Sequence, residues 1–113
     1  MKKDVNIFLN HILESIKLIE KFIKGKSKKE FLDSIQLQDS IIRRLEIISE
    51  AVKNLPSDFK NKHKNIAWKK VGGLRDILIH HYFGVDLDLT WDVIKRDLPN
   101  LKEKIKNIFK KIK

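Results

Sequence analysis

Apolar residues return along this chain at helical spacing. Val5, Leu9, Ile12, Ile16, Ile19 and Ile23 follow at intervals of four, three, four, three and four. That rhythm puts one side chain per turn on a single face, so it predicts an amphipathic helix. Asp4 is placed to cap its start and Gly25 to close its end. Ser27, with Glu30 three residues on, forms a capping-box pattern that opens the next element. A second, long run carries Ile41, Leu45, Ile48, Val52 and Leu55 on one stripe, and Phe31, Ile35 and Leu37 extend its apolar surface backward. Sequence alone leaves open whether those three belong to the same helix or to a kinked lead-in. Pro56 ends the run, because the residue before a proline is pushed out of the helical region.

Beyond Pro56 lies a short polar segment through His63, long enough for one or two helical turns. A third main helix is predicted over 66–83, with Gly72-Gly73 inside it. Each glycine costs such a helix about 1 kcal/mol against alanine. The pair therefore reads as a place where another helix approaches closely, the alternative being a local break. Asp86 or Asp88 caps a short helix with Trp91, Ile94 and Leu98 on one face. Pro99 fits the first turn of a final helix. That helix carries Leu101, Ile105, Ile108 and Ile112, and its other face is lysine-rich, a pattern usually reflecting solvation. No strand-like alternation occurs. The expectation is one all-α domain over 1–113: a four-helix up-and-down bundle with one or two short additional helices.

Composition narrows the function classes. Hydrophobic residues make up 42% of the 113, enough for a core in one domain of ordinary size. There is no cysteine, which removes disulfides and thiolate metal sites and is compatible with a cytoplasmic setting. No apolar run is long enough to span a bilayer, and Asp4 and Asn6 interrupt any signal-type apolar core, so no membrane association is expected. The formal net charge is +10, an excess that attracts polyanions. A lysine- and isoleucine-rich, heat-adapted composition explains the same excess equally well. The few aromatic residues are not interleaved as a base-stacking platform.

Chemistry concentrates between Leu74 and Asp86. Here an arginine, two histidines and a tyrosine close an otherwise apolar helical pattern, and Gly84 stands where a left-handed cap is expected. Arg75, four intervening residues, His80, one residue and Tyr82 resemble the Arg-x4-His-x-Tyr motif of the HepT-like branch of the HEPN superfamily. The flanks agree: Trp68 upstream, Phe83-Gly84-Val85-Asp86 after the motif, then Trp91-Asp92 and Asp97-Leu98-Pro99. The run Leu45 to Ala51 is similar to the family's second-helix pattern. The resemblance covers nearly the whole chain. It implies a helical, homodimeric, metal-independent endoribonuclease toxin paired with a minimal nucleotidyltransferase antitoxin. In that family Arg75 and His80 would be catalytic. Tyr82 would be the acceptor of adenylyl groups that the partner transfers from ATP. The protein itself would need no cofactor.

The residue types suit that chemistry. RNA is cleaved without metal when its 2′-hydroxyl attacks the adjacent phosphorus, which requires proton movement and a fixed cation. Histidine titrates near neutrality, and arginine offers a charged planar fork. Helical geometry complicates the pairing. At about 100° per residue, Arg75 and His80 lie about 140° apart on one wheel. Either the helix unwinds near Gly84 or a dimer brings two copies of the motif together, and the resemblance favours the dimer. His81 aligns with Val71, Leu74 and Leu78 and reads as a core or interface residue with an auxiliary role. Asp76 stands where many HEPN nucleases have asparagine. An ionised carboxylate cannot donate to phosphate, so Asp76 is left an auxiliary, orienting role. A structural reading pairs Arg75 with Asp76, Asp86 or Glu50. His11 is read as structural and His63 as a solvated loop residue. His80 and His81 are adjacent and point apart, no spaced ligand cluster accompanies them, and no phosphate-binding glycine loop occurs. Two further classes remain: a non-catalytic helical partner subunit binding a nucleotidyltransferase or nucleotide, and a generic basic RNA-binding protein.

Overall fold

The computed structural model describes residues 4–78 and 86–112 of the chain. Every regular element among them is helical. Helix α1 spans Val5–Ile23, and Asp4 caps it by accepting a 2.9 Å hydrogen bond from the Asn6 N–H. Gly25 turns the chain out of it with φ +73°, a conformation that penalises any residue with a Cβ. The capping box forms as expected. Ser27 Oγ accepts from the Glu30 N–H and Glu30 Oε1 accepts from the Ser27 N–H, both at 3.1 Å.

This box opens a separate helix, α2 (Lys28–Asp33), which takes Phe31, whereas Ile35 and Leu37 belong to the long helix itself. Ser34 ends α2 and caps α3 (Ile35–Asn54) by accepting from the Leu37 N–H. Pro56 terminates α3, and a single short helix, α4 (Ser57–Lys62), follows. His63 closes α4 and is half-buried rather than solvated, its ring 4.7 Å from that of Phe59. Its carbonyl accepts from the Trp68 indole N–H at 2.9 Å.

The third main helix is not continuous. It starts at Trp68, runs as α5 (Trp68–Gly72), breaks at Gly73 and resumes as α6 (Leu74–Leu78). A Cβ on Gly72 would sit 3.4 Å from Val52 Cγ1, an ordinary contact. A Cβ on Gly73 would sit 3.3 Å from the Lys69 carbonyl oxygen, which is tight. The pair thus divides the two readings: Gly72 is buried where α5 lies against α3, and the helix breaks at Gly73. Ser49, buried on α3, donates to the Val71 carbonyl at 3.0 Å and fastens α5 to α3.

The last helical run starts at α7 (Leu87–Asp92), which Asp86 rather than Asp88 caps through a bond from the Leu89 N–H. It passes through a π-helical turn, Val93–Asp97, into α8 (Leu98–Ile112) without leaving helical backbone angles. Only Leu98 separates Pro99 from that turn. Proline cannot donate to the carbonyl four residues back and its ring crowds it, and a widened turn relieves both problems.

The core is the sum of the predicted stripes. Leu9, Ile12, Ile16 and Ile19 of α1 meet Ile41, Leu45, Ile48 and Val52 of α3, and α8 adds Leu101, Ile105 and Ile108. The final stripe member, Ile112, lies outside the described side chains. The lysine face of α8 is not wholly solvated. Lys102 Nζ lies 2.8 Å from Glu20 Oε1 on α1, with 20% of its side chain exposed, and Lys104 donates to the Asn65 carbonyl at 2.7 Å. No helix among the described residues is long and apolar enough to cross a membrane.

Candidate functional site

Arg75, the first candidate residue of the Leu74 to Asp86 stretch, rides on the short helix α6. The break at Gly73 resets the chain direction. Leu74 and Leu78 then bury themselves in the core, and the intervening Arg75 is left at the surface. Arg75 reaches the rim of a groove between α1 and α3, whose wall includes Phe8, His11, Arg43, Glu46, Glu50 and Asn54. Its Nε lies 3.3 Å from Glu46 Oε2. The arginine side chain is 61% exposed and the glutamate 33%, so the carboxylate is the more firmly held partner. The ion pair thus goes to Glu46, not to Asp76 or Glu50. Asp76 is exposed and forms no ion pair among the described residues.

His80, His81 and Tyr82, and the Gly84 cap with them, lie outside the described residues. Two described residues bound that segment. The Asp86 N–H donates to the Leu78 carbonyl at 2.6 Å, so the chain re-enters the bundle where it left it.

Sequence reasoning brought Glu50 to Arg75 but missed the groove's other polar groups. His11, read as structural, is exposed and lines the same groove as Arg75. The signal was present in α3: Arg43, Glu46, Glu50 and Asn54 recur at spacings of three, four and four, a polar stripe beside the apolar one. The groove combines cations able to hold phosphate, an imidazole able to move a proton, and carboxylates able to orient both. Among the described residues no three histidine or acidic side chains converge as metal ligands.

A family model described as ribonuclease HepT-like matches residues 12–108. The chain is 44% identical over 110 residues to a protein of Thermococcus cleftensis named "Probable ribonuclease HepT", covering 97% of this chain and 100% of that one. It is 42% identical over 106 residues to a "Putative RNase" of Caldanaerobacter subterraneus subsp. tengcongensis, covering 94% and 95% respectively. It is 56% identical over 112 residues to a "Gamma-glutamylcyclotransferase and putative RNase" of Methanocaldococcus jannaschii. That match takes in 99% of this chain but spans only half of the relative's length. No solved structure matches. Arg75, standing at its groove, is thus part of a sequence matched from the first helix to the last, and the chain belongs to the ribonuclease HepT-like family.

Proposed function

We propose that this protein is a metal-independent endoribonuclease, the toxin of a toxin–antitoxin pair. The observation that carries the reading is Arg75 itself: an exposed guanidinium at the rim of a groove, held through Nε by Glu46, in a chain of the ribonuclease HepT-like family. In the reaction, the RNA 2′-hydroxyl loses its proton and attacks the adjacent phosphorus. The bond to the 5′-oxygen breaks, and that oxygen takes up a proton. The products are a 2′,3′-cyclic phosphate and a 5′-hydroxyl. Arg75 neutralises the charge that accumulates on the non-bridging oxygens, and His80 moves protons. His81 and Asp76 are auxiliary. A homodimer supplies two motifs to one cleft.

Tyr82 is the off-switch in this reading. A minimal nucleotidyltransferase antitoxin transfers adenylyl groups from ATP to its hydroxyl. The added phosphate brings negative charge beside Arg75 and blocks the groove. The reaction is tested by incubating purified protein with RNA in chelator. Cleavage that leaves cyclic-phosphate ends and is lost in His80→Ala supports the proposal, and absence of cleavage refutes it. The switch is tested by the mass of the protein co-expressed with its genomic neighbour, where adenylyl increments on Tyr82 are expected.

One observation favours a second reading. The Nε contact between Arg75 and Glu46 is also what a purely structural ion pair between α6 and α3 would look like. A non-catalytic subunit that binds a nucleotidyltransferase or nucleotide would then lose assembly in Arg75→Ala and cut no RNA.

A further inference from the structure

On the other side of the last turn of α3 from the Arg75 groove lies a second, broader one, walled by α4 and α5. Five lysines line it: Lys53, Lys60, Lys64, Lys69 and Lys70. No carboxylate among the described residues does, so this one groove gathers five positive charges in a chain whose net charge is +10. Two of the five are partly engaged. Lys60 Nζ donates to the Val52 carbonyl at 3.3 Å, and Lys70 Nζ lies 3.8 Å from Asp97. Lys53, Lys64 and Lys69 are exposed and have no ion pair among the described residues. The acidic side chains at Glu20, Asp33, Glu46, Asp88 and Asp92 are paired with other cations. Like charges held close together repel one another, and a cleft lined by one sign focuses its field on an incoming anion.

We propose that this groove holds the sugar–phosphate backbone of the RNA substrate beyond the point of cleavage. The inference rests on the ribonuclease reading and extends it to the path of the strand. Two observations favour RNA over other anions. The first is proximity to the Arg75 site. Lys53 lines this groove and the next residue, Asn54, lines the other. Gly73, on this groove's wall, is the break between α5 and α6 and precedes Arg75 by two residues. A strand whose phosphate meets Arg75 therefore meets the lysines within its next nucleotides. The second is the lack of an exposed apolar anchor. A membrane surface recruits basic faces that also present apolar residues for insertion. The most exposed large apolar side chains, Ile7, Leu32 and Ile35, line no part of this groove, and the large ones that do, Val52, Ile66 and Trp68, are buried. Lysine contacts to phosphate fix position and carry no sequence information, so the groove binds RNA irrespective of sequence.

The test is binding of a labelled single-stranded 20-mer RNA across a salt series, in a His80→Ala background. The triple variant Lys53→Gln/Lys64→Gln/Lys69→Gln is compared with Lys17→Gln/Lys21→Gln/Lys24→Gln, which removes equal charge from the far end of α1. Each phosphate contact adds about 0.7 to the slope of log affinity against log salt, so losing three lowers it by about 2. The expected result is that loss, with roughly tenfold weaker binding, in the groove variant alone. Equal effects in both triples would mean that only net charge matters and would overturn the proposal. So would an unchanged groove variant, or preferential binding to phosphatidylserine–phosphatidylcholine vesicles that the groove substitutions abolish. Wild-type cleavage with an unaffected groove variant sinks the groove and leaves the nuclease. The predicted change in slope without any cleavage does the reverse.

Discussion

Glu46 Oε2 sits 3.3 Å from Arg75 Nε and meets it side-on, across the gap between α3 and α6. Contact through Nε engages the near edge of the guanidinium, while phosphate is bound best by the paired terminal nitrogens. If the ion pair serves to aim the arginine, Glu46→Ala lowers kcat for RNA cleavage by about tenfold to a hundredfold. Glu46→Gln keeps an acceptor at the same place and falls between. Steady-state kinetics beside thermal melts check this. A lower melting temperature with unchanged kcat would make Glu46 a structural partner only.

Arg75→Lys is the sharper probe of the chemistry. It keeps the charge but loses the planar fork, and a loss of about 10²-fold or more in cleavage is expected. His80→Ala is expected to cost about 10²- to 10⁴-fold, the usual scale for removing a general acid or base. Single-turnover cleavage of an oligonucleotide in chelator measures both. Circular dichroism should show an unchanged helical signal for Arg75→Lys, because Arg75 lies outside the buried core.

The glycines separate conformation from packing. Gly25 has φ +73°, and nothing lies within 4 Å of where a Cβ would stand, so Gly25→Ala costs about 1 kcal/mol through backbone strain alone. Gly72 has no such constraint, and a Cβ there meets Val52 at ordinary contact distance. Gly72→Ala is expected to be neutral or to stabilise by about 0.5 kcal/mol. Chemical denaturation should therefore show a clear loss for the first variant and none for the second.

Acid should open the capping box of α2. The Ser27 N–H, bonded to Glu30, holds that carboxyl below its ordinary value. A depressed folded-state value means the contribution is present at neutral pH and is lost as pH falls through the folded value. Following the Ser27 amide resonance with pH should give a midpoint below that of a free glutamate. A midpoint at or above it would show that the box does not persist in solution.

Much of this architecture is legible in the sequence because helix periodicity is a local signal. The stripe from Leu9 to Ile19 and the one from Ile41 to Leu55 both form core, and the caps at Asp4 and Ser27 form as their side chains allow. The glycine pair is different: its pattern leaves close packing and a break as alternatives, and the structure has Gly72 packed beside Val52 of α3 and a break at Gly73. The Ser49 bond to the Val71 carbonyl, which ties α5 to α3, is a contact that no local pattern announces. The π-helical turn is equally silent, because apolar spacing of three and four runs through it unchanged. At the site, the motif identifies Arg75 but neither Glu46 nor His11. Those two are 29 and 64 residues away in sequence, and only packing of α1, α3 and α6 makes them neighbours.

The bond from the Asp86 amide to the Leu78 carbonyl has an experimental corollary. It ties the last residue of α6 to the N-cap residue of α7. An amide held in this way exchanges with solvent deuterium only when its bond opens. The Asp86 N–H is therefore a native reporter: its exchange rate reads how often the ends of α6 and α7 part company.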